Sequence, residues 1–343
     1  MAGLAPDPAP ELTDVSGRGG QLQVADAPKV GDNRRVPATS AIPPVIAVVG
    51  PTAAGKSNLA VELARTLGGE VVNCDSMQIY RGMDIGTAKL PLEQRHGVRH
   101  HLLDVLHVGE PATVAEFQGW AREVISDCRM RGVPPVLVGG SALYLRAVLD
   151  EFEFPGTDAE VRRRLEEELG AVGAGALHAR LHAVDPVAAE AILPSNTRRV
   201  VRALEVIELT GRPYRATLPE HIYAFDRVVQ VGLDMPWEVL DARVALRVDR
   251  MWERGLVDEV RALERHGLRE GRTACRALGY AQVLRFLAGE CTEEEARLAT
   301  VSGTRRFARR QDAWFRRDPR IGWLPYDARD LSALALDAVR SVG

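Results

Sequence analysis

Gly50, Pro51, Thr52, Ala53, Ala54, Gly55, Lys56 and Ser57 fit the spacing G-x-x-x-x-G-K-[ST], a loop that cradles phosphates. Its glycines let backbone N–H groups converge on an anion, and a helix starting behind them adds partial positive charge. Lys56 would neutralise a terminal phosphate, and Ser57 would offer its hydroxyl to Mg²⁺. The flanks agree. Val45–Val49 in front reads as a buried strand, while Leu59, Ala60, Leu63, Ala64 and Leu67 behind share one helix face. An ordinary Gly-rich turn would not need both. The loop alone leaves open which phosphate compound it holds.

A second strand, residues 70–74, runs into Asp75-Ser76-Met77-Gln78. In open α/β sheets, residues just past a strand's carboxyl end face the ligand crevice, which puts Asp75 near the phosphate loop. An aspartate there serves equally well as a turn or helix-capping residue. Residues 80–89 carry two glycines and few core residues, and read as a loop over the site. Residues 99–105 read as another strand. Its neighbours His100 and His101 would point to opposite faces, so they do not readily share one ion. Pro135–Val138 is a buried strand ending at Gly139-Gly140-Ser141. A hydrolytic P-loop enzyme often has its Mg²⁺-binding aspartate there; Asp104 is the alternative carboxylate. This pattern tilts away from a motor or GTPase and toward an enzyme holding a diphosphate.

The elements that must position these groups alternate strand and helix, with Val114–Met130 a helix, as in a parallel α/β sheet. From residue 151 to about 225 the chain becomes helical and charged. Residues 160–169 form one helix with Arg162, Arg163 and Arg164. Residues 196–210 form another, stopped by Gly211 and Pro213. On the latter, Val200, Leu204 and Ile207 share a face. Arg198 and Arg202 lie opposite, either on a solvated face or as cations for phosphates. Strand character returns at residues 228–233, so the helices read as an insertion in one core. The expected layout is a disordered tail at 1–41, core at 42–150, insertion at 151–227 and core again at 228–343. The tail is rich in Pro, Gly, Asp and Ala and is assigned no function.

Residues 240–266 read as one long helix with Arg243, Arg247 and Arg250 along one side. A further helix runs from about 293 to 315. Residues 300–320 hold seven arginines against two aspartates, a local excess of five positive charges in a chain of net charge −3. Such a strip suits a specific polyanion, because a guanidinium binds phosphate bidentately. Phe307, Trp314 and Phe315 are spaced as a docking stripe. The chain has 343 residues and is 46% hydrophobic, enough for a sizeable core. It contains neither a membrane-spanning apolar run nor a secretory leader pattern. Cys74, Cys128, Cys275 and Cys291 are scattered, with no C-x-x-C pair. That argues against a zinc site or disulfide framework and fits a cytoplasmic protein.

Taken in order, several motifs resemble those of bacterial tRNA dimethylallyltransferases, the isopentenylpyrophosphate (IPP) transferase family. They are the phosphate loop, residues 75–78, 83–89, 100–104, 138–144, 202–206 and 309–316. They span roughly residues 43–325. The resemblance implies a P-loop α/β core with a helical insertion that grips the anticodon stem-loop of tRNA. It implies transfer of a dimethylallyl group from dimethylallyl diphosphate to N6 of adenosine 37, in tRNAs reading codons that begin with U, with Mg²⁺ as cofactor. The base must leave its stack for N6 to react.

Carried over by the resemblance, Asp75 is the general base. Ser141, where the family usually has Thr, contacts the diphosphate's bridging oxygen, and Arg247 binds the departing diphosphate. Stretches implied to touch tRNA are Asp75, Ser76, Met77, Gln78 and Ser141; Arg162; and Arg198, Arg199, Val200, Val201 and Arg202. Arg276, Ala277, Leu278, Gly279, Tyr280 and Ala281 form another. The last is Arg309, Arg310, Gln311, Asp312, Ala313, Trp314, Phe315 and Arg316. A monomer that does not bind membranes is expected. The rivals are an enzyme prenylating free adenine nucleotides, a small-molecule P-loop kinase, and a non-catalytic RNA-binding protein.

Overall fold

The computed structural model describes residues 42–214 and 220–342; the expected tail at 1–41 lies outside them. Six strands form one parallel sheet. They are β1 (Val45–Val49), β2 (Glu70–Asn73), β3 (His100–His101), β4 (Pro135–Val138), β5 (Val228–Asp234) and β6 (Ile321–Pro325), in the order β3-β2-β4-β1-β5-β6. β1 lies between β4 and β5, with Ile46 opposite Val136 on one side and Val229 on the other. The sheet is buried on both faces, so its central strands read as continuous apolar runs. Val45, Ala47 and Val49 face Phe117, Ile125 and Tyr280; Ile46 and Val48 face Leu59 and Leu63.

The helices are α1 (Lys56–Leu67), α2 (Val114–Met130), α3 (Ala142–Leu149), α4 (Ala159–Val184), α5 (Pro186–Ala191) and α6 (Thr197–Thr210). After β5 come α7 (Trp237–Glu253), α8 (Leu256–Glu264), α9 (Tyr280–Leu287), α10 (Glu293–Phe315) and α11 (Leu331–Arg340). α4, α5 and α6 pack around a core of their own, including Leu165, Leu177, Leu181, Val200 and Leu204. The chain enters and leaves this helical unit at one neck. There Glu151 N–H donates to Ile222 O at 2.8 Å and Ala224 N–H to Leu149 O at 2.7 Å. Asp150, fully buried in the neck, accepts from Arg146 at 2.9 Å and pairs with Arg320 at 2.8 Å.

Three expectations are corrected. The strand over 99–105 shrinks to His100–His101, because Leu102 and Asp104 take positive φ (60° and 58°), which a strand cannot hold. His101 instead hydrogen-bonds Glu70 at 2.7 Å, and Arg131 holds the same carboxylate at 2.8 Å. The long helix over 240–266 is two helices, α7 and α8. Gly255 (φ 90°) divides them at a conformation that suits glycine. The docking stripe of α10 also differs: Ala308, Gln311 and Phe315 are buried, while Phe307 is only half-buried. Beyond α10, β6 and α11 complete the sheet edge, and neither is assigned from the sequence.

Candidate active site

The carboxyl ends of β1, β2 and β4 open into a pocket of about 540 Å³, within the usual range of roughly 300–1,000 Å³ for small-ligand sites. Thr52, Ala53, Gly55, Lys56 and Ser57 form its floor. α1 begins at Lys56 behind Gly55 (φ 104°), so the first-turn amides aim into the cavity. The Lys56 ammonium donates to Pro51 O at 2.7 Å. Burial, then the nearby Arg247 charge, pull its pKa down to about 7; Asp75 works the other way.

Arg243, Arg247, Arg250 and Arg254 line the α7 side of the same pocket. With Lys56 they make five cationic side chains facing a single carboxylate, Asp75. Such an excess focuses positive potential on a polyanion. Burial lowers the Arg247 pKa and the Asp75 charge opposes that shift. Ile85, Leu90, Leu246 and Met251 give the pocket an apolar part as well.

Asp75 is held by a tight turn. Asn73 Oδ1 accepts Asp75 N–H at 3.0 Å, Asn73 Nδ2 donates to Asp75 O at 3.1 Å, and Asp75 Oδ1 accepts Met77 N–H at 2.9 Å. The turn role and the pocket-facing role therefore coincide. Ser141 Oγ accepts Ser76 N–H at 3.2 Å and donates to Ser76 Oγ at 3.3 Å, and its side chain is not part of the pocket lining. Gln78 lines the pocket and donates to Thr87 O at 3.1 Å. Asp104, the alternative metal carboxylate, is instead paired with buried Lys89 at 2.6 Å, which also binds Asp84 at 2.6 Å. It does not line the cavity.

Gln311 enters the site from α10. Its Oε1 accepts Thr52 N–H at 2.8 Å, and its Nε2 donates to Gly140 O at 2.8 Å. A Cβ at position 140 would stand 2.2 Å from that nitrogen, which explains the glycine. The resemblance assigns Gln311 to tRNA, yet it is only 5% exposed and lines the pocket. Other members of the implied tRNA stretches are buried too. Val200 and Val201 fill the insertion's core; Ala277, Gly279, Tyr280 and Phe315 pack into the main core. Their side chains offer RNA no surface.

The arginines separate by partner. Arg162 and Arg202 both grip the fully buried Glu205, so they serve the insertion's own structure. Arg309 pairs with Asp241 at 2.8 Å and stacks on Trp237, and Arg316 pairs with Asp234 and stacks on Trp323. Asp312 pairs with Arg316 at 3.3 Å, and Arg146 stacks on Trp314. Arg306, Arg310 and Arg317 are exposed and have no carboxylate partner among the described residues; Arg198, Arg199, Arg276 and Ala313 are also exposed, while Leu278 and Ala281 are half-buried.

Comparison with known proteins gives a consistent result. The sequence profile of IPPT, described as IPP transferase, matches residues 78–318. A tRNA dimethylallyltransferase of Thermobifida fusca is 66% identical over 292 residues, covering 84% of this chain and 91% of its own. One from Streptomyces coelicolor is 65% identical over 300 residues, covering 87% and 96%. The crystal structure of the tRNA isopentenylpyrophosphate transferase from Bacillus halodurans is similar at a TM-score of 0.64 and 41% identity, over 87% of this chain and 95% of that one. A eukaryotic dimethylallyltransferase, solved acting on tRNA, is similar at a TM-score of 0.72 and 28% identity, over 87% and 77%.

Proposed function

The chain belongs to the IPP transferase family, and from that premise we propose that it transfers a dimethylallyl group from dimethylallyl diphosphate to N6 of adenosine 37 in tRNA. The observation that carries this reading is the pocket itself: five cations and a phosphate loop around one carboxylate, with an apolar wall beside them. A diphosphate ester with a short hydrocarbon tail matches all three. The separate helical unit and the exposed Arg198, Arg306, Arg310 and Arg317 favour a large RNA over a free nucleotide.

The diphosphate lies on the loop amides, Lys56 and Arg247. Adenine N6 attacks the allylic carbon, a C–N bond forms, the C–O bond to diphosphate breaks, and the N6 proton passes to Asp75. Charge grows on the leaving oxygen as the bond loosens. Fixed donors aimed there are worth about 3–4 kcal/mol each. Proton acceptance by Asp75 adds about 10²–10⁴ in rate. Ser57 suits Mg²⁺: it lines the pocket, its hydroxyl has no hydrogen-bond partner among the described residues, and a hard oxygen donor beside phosphates is this ion's preferred setting. When bound, the ion neutralises diphosphate charge.

Incubating the protein with bulk tRNA and labelled dimethylallyl diphosphate tests the reading. The expected product is tRNA heavier by one five-carbon unit at adenosine 37. Consumption of ATP with no label in tRNA would reject it.

A further inference from the structure

The pocket wall facing the phosphate loop includes Ile85, Thr87 and Ala88. One side chain outside the pocket lining anchors this wall. Glu259, on α8, accepts three consecutive backbone N–H groups: Asp84 at 3.1 Å and Ile85 at 2.7 Å on Oε2, and Gly86 at 3.2 Å on Oε1. Tyr280 O–H donates to Oε1 at 2.6 Å, and its fully buried ring packs against Gly86. Successive amides curled around one anion form a nest, which fixes the local backbone. Hydrogen bonds to a carboxylate are roughly twice as strong as neutral ones.

The nest bears on the pocket through the next residue. Thr87 O accepts from Arg247 Nη2 at 3.3 Å, and this is the only hydrogen bond of Arg247 among the described residues. No carboxylate pairs with Arg247 there, so its aim depends on where that carbonyl stands. Lys89 holds Tyr80 O at 2.9 Å and the Asp84 carboxylate at 2.6 Å, and Gln78 shares Thr87 O at 3.1 Å, but among the described residues only Glu259 takes the Ile85 and Gly86 amides.

We propose that Glu259 is a positioning residue of the diphosphate site: it sets the turn at residues 84–86 so that Thr87 aims Arg247 at the diphosphate. The inference rests on the function proposed above. Glu259 acts through another residue, so the test is a double-mutant cycle, which isolates coupling from general destabilisation.

The full-length protein and its Glu259→Ala, Arg247→Ala and double variants are titrated with inorganic pyrophosphate in the presence of Mg²⁺, and tRNA binding is followed by gel shift. Glu259→Ala should weaken pyrophosphate at least tenfold and leave tRNA affinity within threefold. Adding Arg247→Ala should then cost less than threefold more. If Glu259→Ala does not fold, Glu259→Gln replaces it in the same cycle, since one acceptor oxygen remains and a smaller loss is expected. Additive losses, or unchanged pyrophosphate affinity in the Glu259 variant, would overturn the inference alone. Wild-type protein that does not bind pyrophosphate would overturn the functional reading together with it.

Discussion

Gln311 and Thr52 stand 259 positions apart in the chain, yet the Gln311 side-chain carbonyl accepts the Thr52 amide at 2.8 Å. The same side chain reaches Gly140 O at 2.8 Å. α10, which bears most of the arginine strip, is thereby bolted to the phosphate loop and to the turn after β4.

Removing that bolt should be felt in both stability and binding. Gln311→Ala leaves two backbone groups without partners, at about 1–3 kcal/mol each if they stay dry. Gln311→Glu keeps an acceptor for Thr52 but puts a negative charge beside the phosphate loop. Pyrophosphate affinity should fall in the order wild type, Ala, Glu. A Glu variant binding as tightly as wild type would refute the placement.

Asp75→Asn preserves the acceptor for Met77 N–H and so the turn. Single-turnover rates should drop at least about a hundredfold, the lower end for loss of a general base, with tRNA affinity unchanged. Full activity in the Asn variant would remove Asp75 from the proton-accepting role.

Lys56 makes donor binding depend on pH. With its pKa near 7 in the free pocket, it is largely neutral above that value. An anion on the loop favours the ammonium and raises the pKa, so binding above pH 7 takes up a proton. Measured against Lys56→Met, in which only the ligand's own protons titrate, wild-type pyrophosphate affinity should weaken by up to about tenfold per pH unit above 7, as expected for one coupled proton. Calorimetry in buffers of different ionisation enthalpy should register the uptake. Lys56→Met should bind weakly and lose the part of the dependence that comes from the ammonium.

The arginine strip should divide under salt titration. Arg306→Ala and Arg310→Ala remove exposed cations that have no carboxylate partner among the described residues. Each should flatten the slope of log affinity for tRNA against log salt by about 0.7–0.9, the value for one lost phosphate contact. Arg309→Ala removes a cation already paired with Asp241 and should change the slope less. Equal slopes for all three would show that the Asp241 pair opens on binding.

Much of the core was legible because its signals are local. The phosphate loop sits between an apolar strand and an amphipathic helix, and residues Arg243, Arg247 and Arg250 share a wall because helical spacing requires it. What escaped lies between distant segments. Nothing near Glu259 marks it, since glutamate is common on helix surfaces, and Gln311 was named only within a stretch implied to touch tRNA, not as a brace of the phosphate loop. Asp241 and Asp234 neutralise arginines 68 and 82 positions away, so counting charges along the strip overstated the free ones. The amphipathic pattern of α6 already turned Val200 inward. The implied tRNA stretch ran across both faces of that helix. β6 carries a glycine and ends in a proline, which weakens its pattern to that of a sheet edge.

The neck at Asp150 has an evolutionary corollary. Both crossings of the chain share adjacent backbone hydrogen bonds at one place outside the six-stranded sheet, so a change within the helical unit need not shift the register of any strand. On the function proposed above, with the helical unit gripping the RNA, grafting the corresponding segment from a relative at these two junctions should alter which RNAs are chosen while leaving handling of the small-molecule donor as it is. On that reading, RNA selection and donor handling would be free to diverge at different rates within one polypeptide.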